Sequence, residues 1–341
     1  MRRWALPVLS GLILAAAGGL LWLRHELNTP FYGGAGAESF VMIDHGSGTN
    51  AIADALVAGG ALHHKYPFLL LVRWQGLERR LQAGEYRFSS PARPAEVAQR
   101  LVRGDAYFRE ITIPEGLTSG ETIDLLAEAG LGSANEMKTL LERGDWLEDL
   151  APGISTLEGY LFPDTYKFSR HTTSEQILKT MVAQFRTRIS RLLAVSPLPA
   201  GRTLPQVVIL ASMIEKEART FQERRLVSSV MYNRVRLRIP LACDPTIIYA
   251  LKLAGTYDGN LHKSDLSLPS PYNTYLHAGL PPGPIANPGI DSLRAALDPV
   301  VSDYLYYVSK NDGTHVFSKD LRSHILAVAR YQKRALRTAA R

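Results

Sequence analysis

The sequence predicts an α+β protein in three parts: an amino-terminal transmembrane helix, a small α+β module and a larger, mainly helical α+β domain. Three observations predict it. Trp4 to Leu23 is a run of twenty residues without a charge. A short apolar strand, a glycine-containing turn and an amphipathic helix closed by glycine follow one another twice, near residues 40–60 and 111–130. From Glu175 onward, apolar residues recur at helical spacing over long stretches.

Taken in order, the uncharged run is long enough to span a hydrocarbon core of about 30 Å at 1.5 Å rise per residue. Arg2 and Arg3 before it and Arg24 after it favour a cytoplasmic amino terminus and an exported remainder. Cleavage near Ala15-Ala16-Ala17 is the alternative, but the apolar run continues to Leu23, and Trp22 suits an interface. Residues 1–27 are thus read as cytoplasmic terminus and anchor, and 28–38, with Pro30 and three glycines, as a linker. Residues 39–108 form the small module. Its expected elements are strands at Phe40–Ile43, Phe68–Trp74 and Ala83–Phe88, and helices through Ile52 and Leu56 and over Ala95–Val102. Residues 109–330 form the larger domain, with a strand at Ile111–Ile113 and helices over Glu175–Leu193, Leu204–Arg219 and Glu223–Arg236. Thr203 is a candidate cap for the second of these helices. Leu280 to Pro284 and Asn287-Pro288-Gly289 read as a stiff loop, and Asn311-Asp312-Gly313 as the turn of a hairpin. Residues 331–341 are a basic tail on a helix that begins near Ile325.

The chemistry is narrowed mainly by what is missing. Cys243 is the single cysteine, so neither an intramolecular disulfide nor a thiolate zinc site exists. No HExxH, GxSxG, SxxK or GxxxxGK[ST] string occurs. His63 and His64 are adjacent, and adjacent residues do not face each other on a helix, so no metal site is expected. No cofactor is expected. A net charge of +7 suits an anionic partner such as a membrane surface or a cell-wall polymer, and export argues against nucleic acid.

Acid–base chemistry remains. From Val207 to Ile214 the apolar side chains cover nearly the whole helix circumference, so this helix is buried on most sides. A carboxyl at its end is partly desolvated, which favours the proton-bearing form that a general acid needs. Glu215 lies on a stripe with Val208, Ala211, Ser212 and Arg219, and Glu217 points about 200° away, so the two do not act as an adjacent pair. The structural alternative is an i,i+4 ion pair from Glu215 to Arg219. Two further clusters set polar residues among aromatic rings, as a carbohydrate cleft requires: Glu158, Tyr160, Asp164 and Tyr166 in one, and Tyr272, Asn273 and Tyr275 in the other. On composition alone both also suit turns and core.

At these residues the sequence resembles the MltG-type, or YceG-like, endolytic murein transglycosylases. The matching strings are Ile113 to Gly116, Leu157 to Tyr166, Ala211 to Glu217, Asp244 to Tyr249, Tyr272 to Tyr275 and Gly279 to Gly283, in the family's order across residues 40–325. The resemblance implies a LysM-like module followed by the catalytic domain, and an essential acid at Glu215. It adds Ser212 and Asp244 to the candidate substrate-binding residues. It implies peptidoglycan glycan strands as substrate, anchorage in the inner membrane, and links to peptidoglycan synthases. Cys243 stands where the family has a small hydroxyl residue. The implied reaction is attack of the C6 hydroxyl of N-acetylmuramic acid on its own C1, which leaves a 1,6-anhydro end and lets one carboxyl serve as acid and base. Two other readings stay open: a hydrolase in which Glu158 or Asp164 partners Glu215, and a non-catalytic peptidoglycan-binding scaffold.

Overall fold

The computed structural model describes residues 5–34 and 38–339, and of residues 5–9 and 333–339 it describes the backbone alone. The chain divides into two compact units between Arg109 and Glu110.

The first unit holds α1 (Ala5–Asn28), β1 (Ser39–Ile43), α2 (Thr49–Ala58), α3 (Lys65–Trp74), β2 (Gly84–Phe88) and α4 (Pro94–Arg103). Strands β1 and β2 pair antiparallel, Val41 opposite Tyr86. Their buried face packs with Ile52 and Leu56 of α2, Phe68 and Val72 of α3, and Val97 and Leu101 of α4. The strand expected at Phe68–Trp74 is instead helix α3. Its apolar run is too short for periodicity to separate helix from strand. Packing decides: Phe68, Leu71 and Val72 fall on one buried helical face, whereas Leu70 and Trp74 stand exposed.

The expected linker is fastened where it is described, since Phe31 exchanges backbone hydrogen bonds with Ala92 and the Gly33 amide donates to Gly60. His63 and His64 do face each other, with ring centroids 4.1 Å apart, because they lie in the loop before α3 and not on a helix. With Glu26 they form, among the described residues, the one group of three able to offer metal ligands together. Among the described residues no helix is long and apolar enough to cross a membrane. The side chains described in α1 begin at Ser10 and reach Arg24 after about 21 Å of apolar rise. Arg2, Arg3 and Trp4 lie outside the described residues.

The second unit contains β3 (Arg109–Thr112), α5 (Ser119–Glu128), α6 (Ala134–Leu140), β4 (Thr165–Phe168), α7 (Ser174–Leu193), α8 (Leu204–Glu217), α9 (Phe221–Leu237), α10 (Asp244–Leu253), α11 (Ile290–Leu297), β5 (Tyr306–Ser309), β6 (His315–Ser318) and α12 (Leu321–Ala339). Strand β3 pairs with β4, and β5 with β6 as an antiparallel hairpin. The hairpin turn places Asn311 and Gly313 at positive φ, as its Asn-Asp-Gly sequence demands. Mixed α+β architecture, mostly helical with small sheets, is therefore what the chain adopts. The Arg334 and Arg337 side chains of the basic tail, and Arg341, are outside the description.

Helix α8 is the axis of this unit. Thr203 caps it by accepting the Gln206 amide, Pro205 sits in the first turn where no amide donor is needed, and every side chain from Val207 to Ile214 is buried. Helices α9, α10 and α11 pack against it. A core this closely surrounded tolerates truncation poorly. Phe185 of α7, fully buried and edge-to-face with Tyr160 at 5.0 Å, is a sensitive reporter. Phe185→Ala should cost about 3–5 kcal/mol, measured as a drop in unfolding free energy from urea titration.

Candidate active site

At its carboxyl end the last turn of α8 emerges from the core, and it carries Glu215, Lys216 and Glu217. The carbonyl end of a helix is electronegative and repels carboxylates, so Glu215 needs compensating positive groups. It has two. The Arg224 Nη2 donates to Glu215 Oε1 at 2.7 Å, and the Gly289 amide donates to Oε2 at 3.0 Å. Gly289 is the N-cap of α11, so the positive end of that helix faces the carboxyl. Arg224 also donates from Nε to the Ala218 carbonyl at 3.1 Å, closing the end of α8. The Glu215 side chain is 5% exposed and that of Arg224 10%.

The i,i+4 partner expected from spacing, Arg219, is not used. Helix α8 ends at Glu217, Ala218 is extended, and Thr220 caps the start of α9. The desolvated carboxyl expected at Glu215 is buried, but it is ion-paired by Arg224.

Two loops wrap the emerging turn. In the β3–α5 loop the Gly116 amide donates to the Asn287 carbonyl at 2.9 Å, and its carbonyl accepts Lys216 Nζ at 3.1 Å. Gly116 has φ +79, and a Cβ there would touch Glu215 Cγ at 3.4 Å. The proline-rich loop runs beside α8: the Ile285 amide donates to Ser212 Oγ at 3.0 Å, and Gly289 reaches Glu215. Asn287 joins the loops, accepting the Leu161 amide at 3.0 Å and donating to the Leu117 carbonyl at 3.1 Å. Glu115 completes the cluster, its carboxyl lying against the Cα of Gly289 and 3.8 Å from Arg224 Nη2. Burial, followed by the charge of Glu215, raises the Glu115 carboxyl above its ordinary range.

Arg224, Glu115, Asn287 and Gly289 were not among the residues expected from sequence. One signal was available for Arg224. Thr220 followed by Glu223 is a helix-start pattern, which ends the preceding helix before Arg219 and places Arg224 one turn into the next.

The expected site residues separate into groups. Ser212 is fully buried, donates to the Ile209 carbonyl at 2.7 Å and anchors the proline-rich loop. Glu158 is buried beneath α5, accepting the Ser119 amide at 3.0 Å and the Tyr249 hydroxyl at 3.2 Å. Asp164 accepts Gln184 at 2.6 Å and Arg188 at 2.8 Å. Tyr166 donates to the Phe162 carbonyl at 2.6 Å, and Tyr160 is core. Asn273 donates to the Leu266 and Leu268 carbonyls and so holds its loop. The Tyr272 ring lies 4.9 Å from that of Tyr249, tilted by 58°, and with Pro282, Gly283 and Pro284 it lines a cavity of about 230 Å³. Tyr275 donates to Asp244 at 2.5 Å at the start of α10. None of these hydrogen bonds reaches Glu215. Glu217 points the other way, as its helical position requires, and accepts the Cys243 thiol at 3.1 Å and the Tyr307 hydroxyl. A small hydroxyl at position 243 could make the same bond.

Fold and site together define a class: an α+β protein that carries a buried carboxyl at a helix terminus, held by an arginine and a helix N-terminus, an arrangement suited to proton transfer. The chain belongs to the YceG-like family, whose model matches residues 41–330. It is similar to the endolytic murein transglycosylase of Bacillus subtilis (strain 168), 33% identical over 308 residues, covering 85% of this chain and 84% of that protein. The endolytic murein transglycosylase of Streptococcus pneumoniae (strain ATCC BAA-255 / R6) is 26% identical over 366 residues, 97% of this chain but 65% of that longer protein. Among solved structures, a YceG-like protein from Listeria monocytogenes aligns with TM-score 0.56 and 29% identity over 84% of this chain and 98% of that one.

Burial pushes the Glu158 carboxyl up to about 7, against the hydrogen bonds from Ser119 and Tyr249 that pull it down. A carboxyl raised on folding stabilises the fold fully below its unfolded value of 4.5, and that contribution fades as pH rises through 7. The stability advantage of the parent over Glu158→Gln should therefore shrink by roughly 3 kcal/mol between pH 4 and pH 8. Urea denaturation of both proteins across that range measures it, and a pH-independent gap would refute the titration.

Proposed function

We propose that this protein is a peptidoglycan lytic transglycosylase that cuts within glycan strands, with Glu215 as the residue that moves the proton. The observation that carries this reading is the Glu215 carboxyl itself, at the end of a buried helix and held at both oxygens. The names of its relatives in Bacillus and Streptococcus support the reaction class. In this reading Glu215 protonates the leaving glucosamine oxygen as the C1–O bond breaks. The C6 hydroxyl of the muramic residue closes on C1 and returns its proton to Glu215. No water is consumed, and the same carboxyl ends the cycle as it began. Arg224 and the N-terminus of α11 meet the negative charge on Glu215 between the two transfers. A two-carboxylate hydrolase built on Glu158 or Asp164 is less well supported, since their hydrogen bonds go to Ser119 and Tyr249, and to Gln184 and Arg188. Of the expected binding residues, Asp164, Asp244, Tyr272 and Tyr275 retain exposed surface and remain the candidates for glycan contact.

The first unit is proposed as a LysM-like, glycan-positioning module, which its β1-α2-α3-β2 order supports. We also propose that the amino-terminal helix anchors the protein in the inner membrane with both units on the outer side, near the peptidoglycan synthases, where cutting limits the length of new strands. Leu12, Ile13, Leu14, Leu20 and Leu21 of α1 are each more than 60% exposed, an apolar surface that lipid would cover. Recovery of an amino-terminal tag in the membrane fraction at full chain mass tests this, and a mature product starting near Gly18 would overturn it.

Glu215→Gln keeps shape and hydrogen bonding but carries no transferable proton. With thermal melting matched to the parent, it should lose at least about 100-fold in the release of anhydromuropeptides, followed by mass spectrometry of digested murein. Reducing ends from the parent would point to the hydrolase, and no cleavage at all to a scaffold.

A further inference from the structure

Glu115 shares more than proximity with Glu215. Its carboxyl lies against Gly289 so closely that a Cβ there would fall 1.9 Å from Glu115 Oε1, and the amide of that same glycine donates to Glu215. Arg224 is within ion-pair reach of both, 2.7 Å from Glu215 and 3.8 Å from Glu115. The loop that carries Glu115 is tied down on both sides, by the Ile113 amide on the Asp164 carbonyl at 3.0 Å and by the Gly116 amide on the Asn287 carbonyl at 2.9 Å. Glu115 is also the outer carboxyl of the two, 45% exposed against 5% for Glu215.

Lys216 and Asp291 also face this cluster, and the charge of Asp291 adds to that of Glu215 in raising the Glu115 carboxyl. Lys216 of α8 donates to the Gly116 carbonyl, and Asp291 of α11 pairs with Arg294 at 3.3 Å. Two carboxyls therefore compete for one guanidinium. Like charges that share a single cation cannot both be fully compensated, so the charge of Glu215 raises the affinity of Glu115 for a proton.

We propose that Glu115 is a positioning residue of the proton-transfer centre: by drawing on Arg224 and placing its own charge beside Glu215, it sets the pH range in which Glu215 carries the proton. The proposal rests on the reading of Glu215 as the proton-transfer residue. Burial and the neighbouring Glu215 charge shift Glu115 upward, as expected if the two are coupled in this way. The direction follows from charge. With Glu115 neutralised, Arg224 serves Glu215 alone, the Glu215 carboxylate is favoured, and the pH above which the acid is lost moves down.

The test is the pH–rate profile of anhydromuropeptide release by the full-length protein and its variants. Glu115→Gln should retain cleavage at its own optimum within about tenfold of the parent, with the alkaline limb displaced to lower pH by about one unit. Glu115→Asp, which withdraws the carboxylate by one methylene, should move the limb in the same direction by less, and serves where Glu115→Gln fails to fold. A uniform loss of rate with an unmoved limb would reduce Glu115 to a structural part and overturn the proposal. Glu215→Gln, assayed alongside, separates the two failures. If it still cleaves, the assignment of Glu215 falls and this proposal with it; if it is inactive while the Glu115→Gln limb stays in place, only the role of Glu115 falls.

Discussion

The ion pair between Glu215 and Arg224 is the constraint around which the second unit is arranged. A carboxylate at the carbonyl end of a helix, buried to 5% exposure, is held in place only if positive groups reach it. Arg224 reaches it because α8 stops at Glu217 and α9 starts after three residues, which brings a side chain nine positions away to hydrogen-bonding distance. The amide of Gly289 reaches it because the proline-rich loop is pulled along α8 through Ser212 and delivers the first turn of α11 to the carboxyl.

The loops follow from the same requirement. Backbone must approach the end of α8 closely, and glycines stand at two of the places where it does. Gly116 has positive φ and lies against Glu215, and Gly289 leaves the space that the Glu115 carboxyl fills. Asn287 supplies further bonds, accepting the Leu161 amide and donating to the Leu117 carbonyl. The prolines around it stiffen the loop and need no amide partners. Glu158, Asp164 and Asn273 act in the same way at greater distance: the two acids accept donors of α5 and α7, and Asn273 donates to the carbonyls of its own loop.

Aromatic and acidic clusters in a sequence are ambiguous for this reason. The Leu157–Tyr166 string has the composition of a sugar cleft, but its tyrosines turn into the core and its acids tie helices α5 and α7 to their neighbours. The string at Tyr272–Tyr275 keeps part of its surface, at Tyr272 and Tyr275, while Asn273 and Thr274 are buried.

Much of the molecule is determined by sequence alone. Apolar periodicity sets helices α4, α5, α7, α8 and α9, the Asn-Asp-Gly turn sets the last hairpin, and a helix apolar on every side must be central, with the carboxyls of Glu215 and Glu217 at its end; only the family resemblance implies the first of them as the acid. These are local facts, fixed by side-chain spacing and backbone preference. Tertiary structure decided the rest. Residues 68–74 became a helix because their apolar run fits either period and only the packed face distinguishes them. His63 and His64 face each other because a loop, not a helix, carries them. The partner of Glu215 is Arg224 and not Arg219, and its second donor is 74 residues away, because the final turn of α8 and the path of the proline-rich loop depend on contacts that span the whole unit. Spacing along a chain limits which residues can meet, but which cation reaches a buried carboxyl is settled by where helices end and how they pack.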